Sequence, residues 1–423
     1  MTRLTIGKVA TDVTQNLKWL YWGRGLRSFS TAFLTVAFPL YLAVSGYSAA
    51  RLGLVLGVAG GVTLVLVASA GIIGDKYGRR RVILALAALA AIGGAVLMRT
   101  VAFWPVVLAS GLGGVGKGGG AGSGGSWGPV FPAEQPLVAG AVRAGNRTKA
   151  FGTISFVGVM AGAAGSLVAT VPELLHSHGW TWAASYHVLF GLSVLVSLAM
   201  IAVTLPLKEN PPSQTPVTAA DSPPISFKQL LGRLGFTNAL NGLGFGFLGP
   251  LLTYWFYRRY GVGPAELGVL YTIINLASAL PYLWSSNLAS RWGAVKTVTY
   301  TRAVGLLVML AMAICPTFVL AGIAYTLRMI FNSLGMPARQ SFVMGVSDDR
   351  YRSRVSAFSS LPSQMTSMVS PVVAGALMDA VLDIPIFGAT LFMSMNLVAY
   401  YWLFHDVRPP EERSPARVAG GST

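Results

Sequence analysis

PAEQPLVAG at 132–140 returns as PARQSFVMG at 337–345, an offset of 205 residues, and this near-copy decides how the chain is built. Working outward, Arg147, Ala150 and Phe151 recur as Arg354, Ala357 and Phe358 at an offset of 207. Upstream, ARLG at 50–53 matches AELG at 265–268 at an offset of 215, and Pro39 matches Pro250 at 211. Differences in loop length between two copies produce such drift. The chain reads as one unit followed by a second, parallel copy.

Composition says what the unit is made of. Of 423 residues, 53% are hydrophobic and only 11% charged, and the mean hydropathy is +0.61. An aqueous globule has no room to bury so much apolar side chain, so lipid is the expected solvent. Apolar stretches of about 20 residues, enough to cross a hydrocarbon core about 30 Å thick, recur along the chain. Six fall at approximately 20–44, 50–73, 82–99, 103–126 (extending to 142), 151–171 and 185–206. Six more fall at 234–256, 264–288, 297–315, 317–346, 355–380 and 385–404. Between the sets, Lys208 to Lys228 contains ENPPSQTPVTAADSPP, too polar and proline-rich to pack. The expected fold is an all-α membrane protein of twelve transmembrane helices in two six-helix repeats. Residues 1–207 form the N-terminal half, 208–228 a cytoplasmic linker, and 229–423 the C-terminal half with its cytoplasmic tail. Two parallel copies place a pseudo-two-fold axis along the membrane normal and a solute cavity between the halves.

A net charge of +17 in a soluble protein would suggest nucleic acid, but here the basic residues lie in the short connections. One side receives Lys8, Lys18, Lys76, Arg79, Arg80, Arg81, Arg143, Arg147 and Lys149, and later Arg291, Lys296, Arg350, Arg352, Arg354 and Arg408. The other receives Arg51, Arg99, Arg258 and Arg259. The rich side is expected to be cytoplasmic and to carry both termini, in the inner membrane of a bacterium or archaeon. The polar stretch from Met1 to about Lys18 leads into a long apolar span with no small-residue cleavage site, so no removable signal peptide is expected. Cys315 is the single cysteine, which excludes a disulfide framework and a cysteine metal site.

GDKYGRRRVIL at 74–84, in a basic turn between two apolar spans, resembles the signature loop of the major facilitator superfamily, in which an Asp is followed by Gly and paired Arg. By topology the resemblance extends over almost the whole chain and implies the major facilitator fold and secondary transport by alternating access. In that family the residue matching Asp75 helps to latch the cytoplasmic face near the start of helix 11. Gly74, Asp75, Gly78 and Arg79 are therefore gating candidates, while Arg80 and Arg81 read as topology determinants. The chain departs from the pattern of drug–proton antiporters: helix 4 lacks the early Arg and helix 5 lacks the Gly-Pro pair. The glycine run ASGLGGVGKGGGAGSGGSWGP in helix 4 imitates a phosphate loop, but no strand precedes it and no Ser or Thr follows Lys117. Close helix packing through small residues explains it better.

Charges at depth are costly in lipid and mark cavities. Lys117 and Arg328 fall near mid-membrane and Arg27 several residues inside helix 1. Helices 1, 4, 7 and 10 line the cavity by resemblance, so Arg27, Lys117 and Arg328, with Asn241 and Asn332, are the candidate substrate-binding residues. Arg27 has a second reading, snorkelling to headgroups. Trp127, Tyr254, Trp255, Tyr271, Asn275 and Tyr325 are candidate path-lining or packing residues. Glu134 is the one acid within a long apolar span. It and Arg339 occupy equivalent places in the repeat and read either as a gating pair across the cytoplasmic mouth or as two locally bonded residues. His176 and His178 form an HSH pair in an outer loop without a third ligand, so no metal is expected.

No filter repeat argues for a channel and no convergent catalytic set for an enzyme. The expected function is a secondary active transporter of a small organic solute, anionic because the deep charges are cations. The alternative is a proton-coupled multidrug efflux antiporter. The expected partners are that solute and membrane lipid, with no nucleic acid and no cofactor. A coupling ion stays open, and the working unit is expected to be a monomer.

Overall fold

The computed structural model describes residues 2–114, 128–142, 146–208, 227–346 and 352–407. Its first half comprises α1 (Thr2–Val44), α2 (Ala49–Tyr77), α3 (Arg79–Leu97), α4 (Phe103–Gly113), α5 (Phe131–Gly140), α6 (Arg147–Val168), the short α7 (Val171–Ser177) and α8 (Trp182–Thr204). The second comprises α9 (Phe227–Leu248), α10 (Leu252–Tyr260), α11 (Pro264–Trp292), α12 (Ala294–Ala313), α13 (Phe318–Gly345), α14 (Arg352–Ala380) and α15 (Ile384–Phe404). We call the side on which α1 begins and α15 ends the near side, and the side of the α1–α2 turn the far side.

Among the described residues, nine helices are long and apolar enough to cross a membrane. The remaining three of the twelve crossings are irregular. The fourth, expected as one continuous span, contains two separate helices, α4 and α5. The seventh breaks at a 3-10 turn, Gly249–Leu251, between α9 and α10. The eleventh, α14, carries Pro362 and Pro371 within a serine-rich sequence that lowers its hydropathy. The stretch after span five, expected as loop, is helical in part as α7. Most of the linker, 209–226, lies outside the described residues.

The duplication seen in sequence recurs in backbone detail. Gly78, between α2 and α3, has φ +100°, and Gly293, between α11 and α12, has φ +80°. They are 215 residues apart, the offset that relates ARLG to AELG, and both adopt a conformation that a Cβ would oppose. The halves meet chiefly along α2 with α14 and α6 with α11. Lipid supplies no hydrophobic drive between helices, so close approach of small residues must hold these seams. A Cβ on Gly53 would lie 2.4 Å from the Pro371 carbonyl oxygen, and one on Gly268 would lie 2.8 Å from that of Ser166. Gly53 and Gly268 are repeat equivalents facing opposite halves.

On the far side the seam is closed by an apolar cluster drawn from both halves, including Phe38, Tyr41, Leu52, Trp255, Tyr271 and Tyr325. Two carboxylates reinforce it. The amide N–H of Ala50, in the first turn of α2, donates to Asp379 Oδ2 of α14 at 3.2 Å. The amide N–H of Ala265, in the first turn of α11, donates to Glu173 Oε2 of α7 at 2.9 Å. Each carboxylate thus caps a helix N-terminus of the opposite half, where unpaired N–H groups and the helix dipole favour an anion.

Candidate functional site

Cavities occur both between the halves and inside each half, and their positions follow from the repeat. One of about 780 Å³ is shared by the halves, with Phe131 and Gln135 on one wall and Asn238, Arg339, Gln340 and Ser363 on the other. A second, of about 860 Å³, lies within the first half among α1, α3, α4 and α8, lined by Arg27, Ser30, Thr31, Ser193 and Ser197 among others. A third, of about 950 Å³, lies within the second half among α9, α12, α13 and α15. The second and third are repeat equivalents. Asn241, Met336 and Arg339 line both the third cavity and the shared one, so those two adjoin.

Among the described residues, the interior charges of the first half gather on one carboxylate. Glu134, 3% exposed, enters from α5. It accepts from Arg24 Nε at 3.0 and 3.1 Å and from Arg24 Nη2 at 2.7 Å. Arg27 Nη2 donates to its Oε2 at 2.6 Å. Arg24 and Arg27 are one helical turn apart, which places both guanidiniums on the same face of α1. Arg27, expected as a substrate-binding residue or one snorkelling to headgroups, instead shares the Glu134 carboxylate with Arg24. Glu134 also does not reach across the mouth to Arg339. Each of the two bonds locally, Arg339 Nη2 donating to Asn238 Oδ1 of α9.

The second half has the opposite furnishing. Arg302 of α12 and Arg328 and Arg339 of α13 all line its cavity, with Asn241, Asn332 and Asn396. Arg302 Nη1 donates to Asn396 Oδ1 at 2.8 Å, and Asn396 Nδ2 donates to the Thr237 carbonyl at 2.5 Å, which fixes the amide. Arg328 lies ten residues into α13, about 15 Å along it. Its Nη1 and Nη2 approach Met329 Sδ at 3.6 Å and Met393 Sδ at 3.5 Å, and its guanidinium lies over the Tyr325 ring at 5.6 Å. The described acids of this half are Glu266, Asp379, Asp383 and Asp406, all at helix ends. Among the described residues, none of the cavity's lining is acidic.

The structure thus brings Arg328, Asn241 and Asn332 into one cavity and Arg27 into another. Lys117 and Trp127 lie outside the described residues. Gly74 and Asp75 sit in the last turns of α2, where the Gly78 amide donates to the Gly74 carbonyl at 3.2 Å; the Asp75 side chain lies outside the described atoms. Arg79 opens α3, and Arg80 Nη2 donates to the Leu205 carbonyl beyond α8 at 2.5 Å. Trp255 packs on the far side with its Nε1 donating to Asp383 Oδ1 at 2.9 Å, and Arg259 pairs with the same carboxylate at 2.5 Å. Asn275 bonds Ser166 across the α6–α11 seam at 3.2 Å. His176 and His178 bond backbone carbonyls locally, and no metal-binding group occurs among the described residues.

Sequence reasoning did not single out Arg24 or Arg302. Each lies close to a span boundary, where errors of a few residues hide depth. The signal available was an Arg inside an apolar run, WGRGL and YTRAV.

The family model described as Major Facilitator Superfamily matches residues 20–237 and again 234–422. The human organic anion transporter MFSD10 (TETRAN) is similar in structure, with 16% identity, 92% of this chain and 99% of that chain covered, and a TM-score of 0.64. The E. coli fucose:proton symporter FucP has 14% identity, 92% and 98% coverage and a TM-score of 0.63. The nucleoside transporter NupG has 12% identity, 93% and 100% coverage and a TM-score of 0.62. At these identities the likeness is one of fold. Comparison with curated proteins gives no match.

Proposed function

Since the chain belongs to the Major Facilitator Superfamily and is a multi-pass secondary transporter, we propose that it carries a small organic anion by alternating access between its halves. The observation behind the choice of anion is the furnishing of the second half, where Arg302, Arg328 and Arg339 face a cavity whose described lining holds no carboxylate. Cations in a low-dielectric cavity repel one another, and an anion entering from the shared space gains more there than in water. The likeness of fold to an organic anion transporter accords with this reading without carrying it. The excess of Lys and Arg on the near side supports a cytoplasmic placement of both termini.

A proton-coupled drug antiporter would have to use Glu134, the one described interior carboxylate. Its bonds to both Arg24 and Arg27 would have to open for each proton bound, at the cost of two buried charge-assisted contacts. Exchange in liposomes decides between the two. Reconstituted protein should exchange labelled benzoate or phthalate saturably, with no requirement for a pH gradient. Uptake of cationic dyes driven by such a gradient, with no exchange of anions, would overturn the proposal.

A further inference from the structure

The two interior cavities are repeat equivalents, yet their charges differ in a way that alternating access does not require. In the first half, the described charges Arg24, Arg27 and Glu134 sum to a net single positive charge. In the second, Arg302, Arg328 and Arg339 leave three, because the partners they find carry no charge: the amide oxygens of Asn396 and Asn238, two thioether sulfurs and the rings of Tyr325 and Tyr400. A guanidinium presents five N–H donors, and thioether sulfur is a weak acceptor. Arg328 spends its donors on two weak thioether acceptors and the neutral Tyr325 side chain, so an oxyanion would be the stronger partner. Arg302, Arg328 and Arg339 line one and the same cavity, so an anion there meets all three. The Asn396–Thr237 bond holds Arg302 in place without neutralising it.

We propose that this cavity, inside the second half rather than between the halves, binds a compact dianionic group, a phosphate monoester or a dicarboxylate, among Arg302, Arg328 and Arg339. The proposal rests on reading the chain as an organic-anion carrier and names the charge class and place of its ligand. A dianion lowers the charge of the described lining from three to one, whereas a monoanion leaves two. Planar forked guanidiniums suit oxyanions with several acceptor oxygens, which each can bind in bidentate fashion. Phe245, Leu248 and Leu252 line the same cavity and offer apolar surface to the body of the solute. Entry runs through the boundary with the shared cavity at Asn241, Met336 and Arg339.

The test is a titration of the purified full-length protein with phenyl phosphate, phthalate and benzoate, followed by calorimetry and by thermal stability. At least one dianion should bind about tenfold or more tightly than benzoate, and Arg302→Gln and Arg328→Gln should each weaken that binding by about tenfold or more. Phenyl phosphate should lose affinity as the pH falls through about 6, where its second ionisation is reversed. Preference for phenyl phosphate over phthalate, or the reverse, identifies the phosphate or the dicarboxylate. The anion comparison and the pH series use the parent protein, so they decide the matter even where a variant fails to fold. Equal affinity for benzoate and both dianions, or unchanged dianion binding in folded variants, overturns the site while leaving anion carriage intact. Failure of every anion to bind or exchange overturns both.

Discussion

Glu134 of α5 and Arg339 of α13 occupy equivalent positions, 205 residues apart, and each is bonded to the first helix of its own half. Their partners are equivalent as well: Arg27 and Asn238 are 211 residues apart, the offset that relates Pro39 to Pro250. Duplication has kept one contact and changed its charge. The first half joins a carboxylate to guanidiniums, and the second joins a guanidinium to an amide. Closure on the near side therefore does not run through a salt bridge between these two residues.

Removing Glu134 should be far more damaging than removing Arg339. Glu134→Gln leaves Arg24, 2% exposed, and Arg27 without their carboxylate, a loss of about 3–5 kcal/mol for breaking a buried pair from one side. Arg339→Gln removes a charged hydrogen bond to a neutral partner and should cost about 1.5–3 kcal/mol. The combined change Arg24→Gln with Glu134→Gln should recover part of the loss, because it removes one of the two cations that Glu134 bonds. Thermal unfolding of the purified variants measures all three. A Glu134→Gln protein that unfolds at the parent temperature would show that the cluster contributes nothing to stability.

The fold was legible because its signals are long and redundant. Twelve apolar stretches and a duplicated PAEQ/PARQ segment tolerate errors of several residues without changing the architecture. The site was less legible, since pairing depends on which face of a helix a residue occupies. The partner of Arg27 could not be read, because Glu134 is more than a hundred residues away in sequence, and only packing of α1 against α5 joins them. Arg328 was visible as a deep charge, but Arg302, its neighbour in the cavity, lies on another helix close to a span boundary. Glu173 and Asp379 were unreadable as a related pair, for they cap backbone amides and leave no sequence pattern.

Those caps should hold the far side closed. Each carboxylate at a helix N-terminus contributes about 0.5–2 kcal/mol, present only while the two halves meet there. Asp379→Asn and Glu173→Gln should each raise the population open on the far side, and together they should raise it further. A cysteine at Thr253, whose hydroxyl donates to the Thr35 carbonyl across the seam at 3.3 Å, reports the opening in a background with Cys315→Ser. An impermeant maleimide applied to intact cells should label it faster in the capping variants. A cysteine at Ser213, in the linker, should label only after permeabilisation. Equal rates at Thr253 in parent and double variant would remove the caps from the cycle, and ready labelling at Ser213 would reverse the orientation.

The two glycine turns separate structure from transport in the signature loop. Gly78 and Gly293 sit at φ +100° and +80° with ψ of 137° and 157°, conformations almost reserved for glycine, so Gly78→Ala and Gly293→Ala should each cost about 1–3 kcal/mol. By this argument the two substitutions are equivalent, and their losses of thermal stability should be similar. The loops differ in chemistry. The first carries Asp75 three residues before its glycine, and the second carries Ser290 at the matching place. Asp75 is placed in the gate only by resemblance to the family's loop. If it has that role, Asp75→Asn should slow solute exchange in liposomes several-fold or more while leaving the unfolding temperature near that of the parent. Ser290→Ala, the symmetry-related control, should alter neither. Exchange by a folded Asp75→Asn protein at the parent rate would confine this loop to turn formation and topology, the role its glycine and arginines already fill.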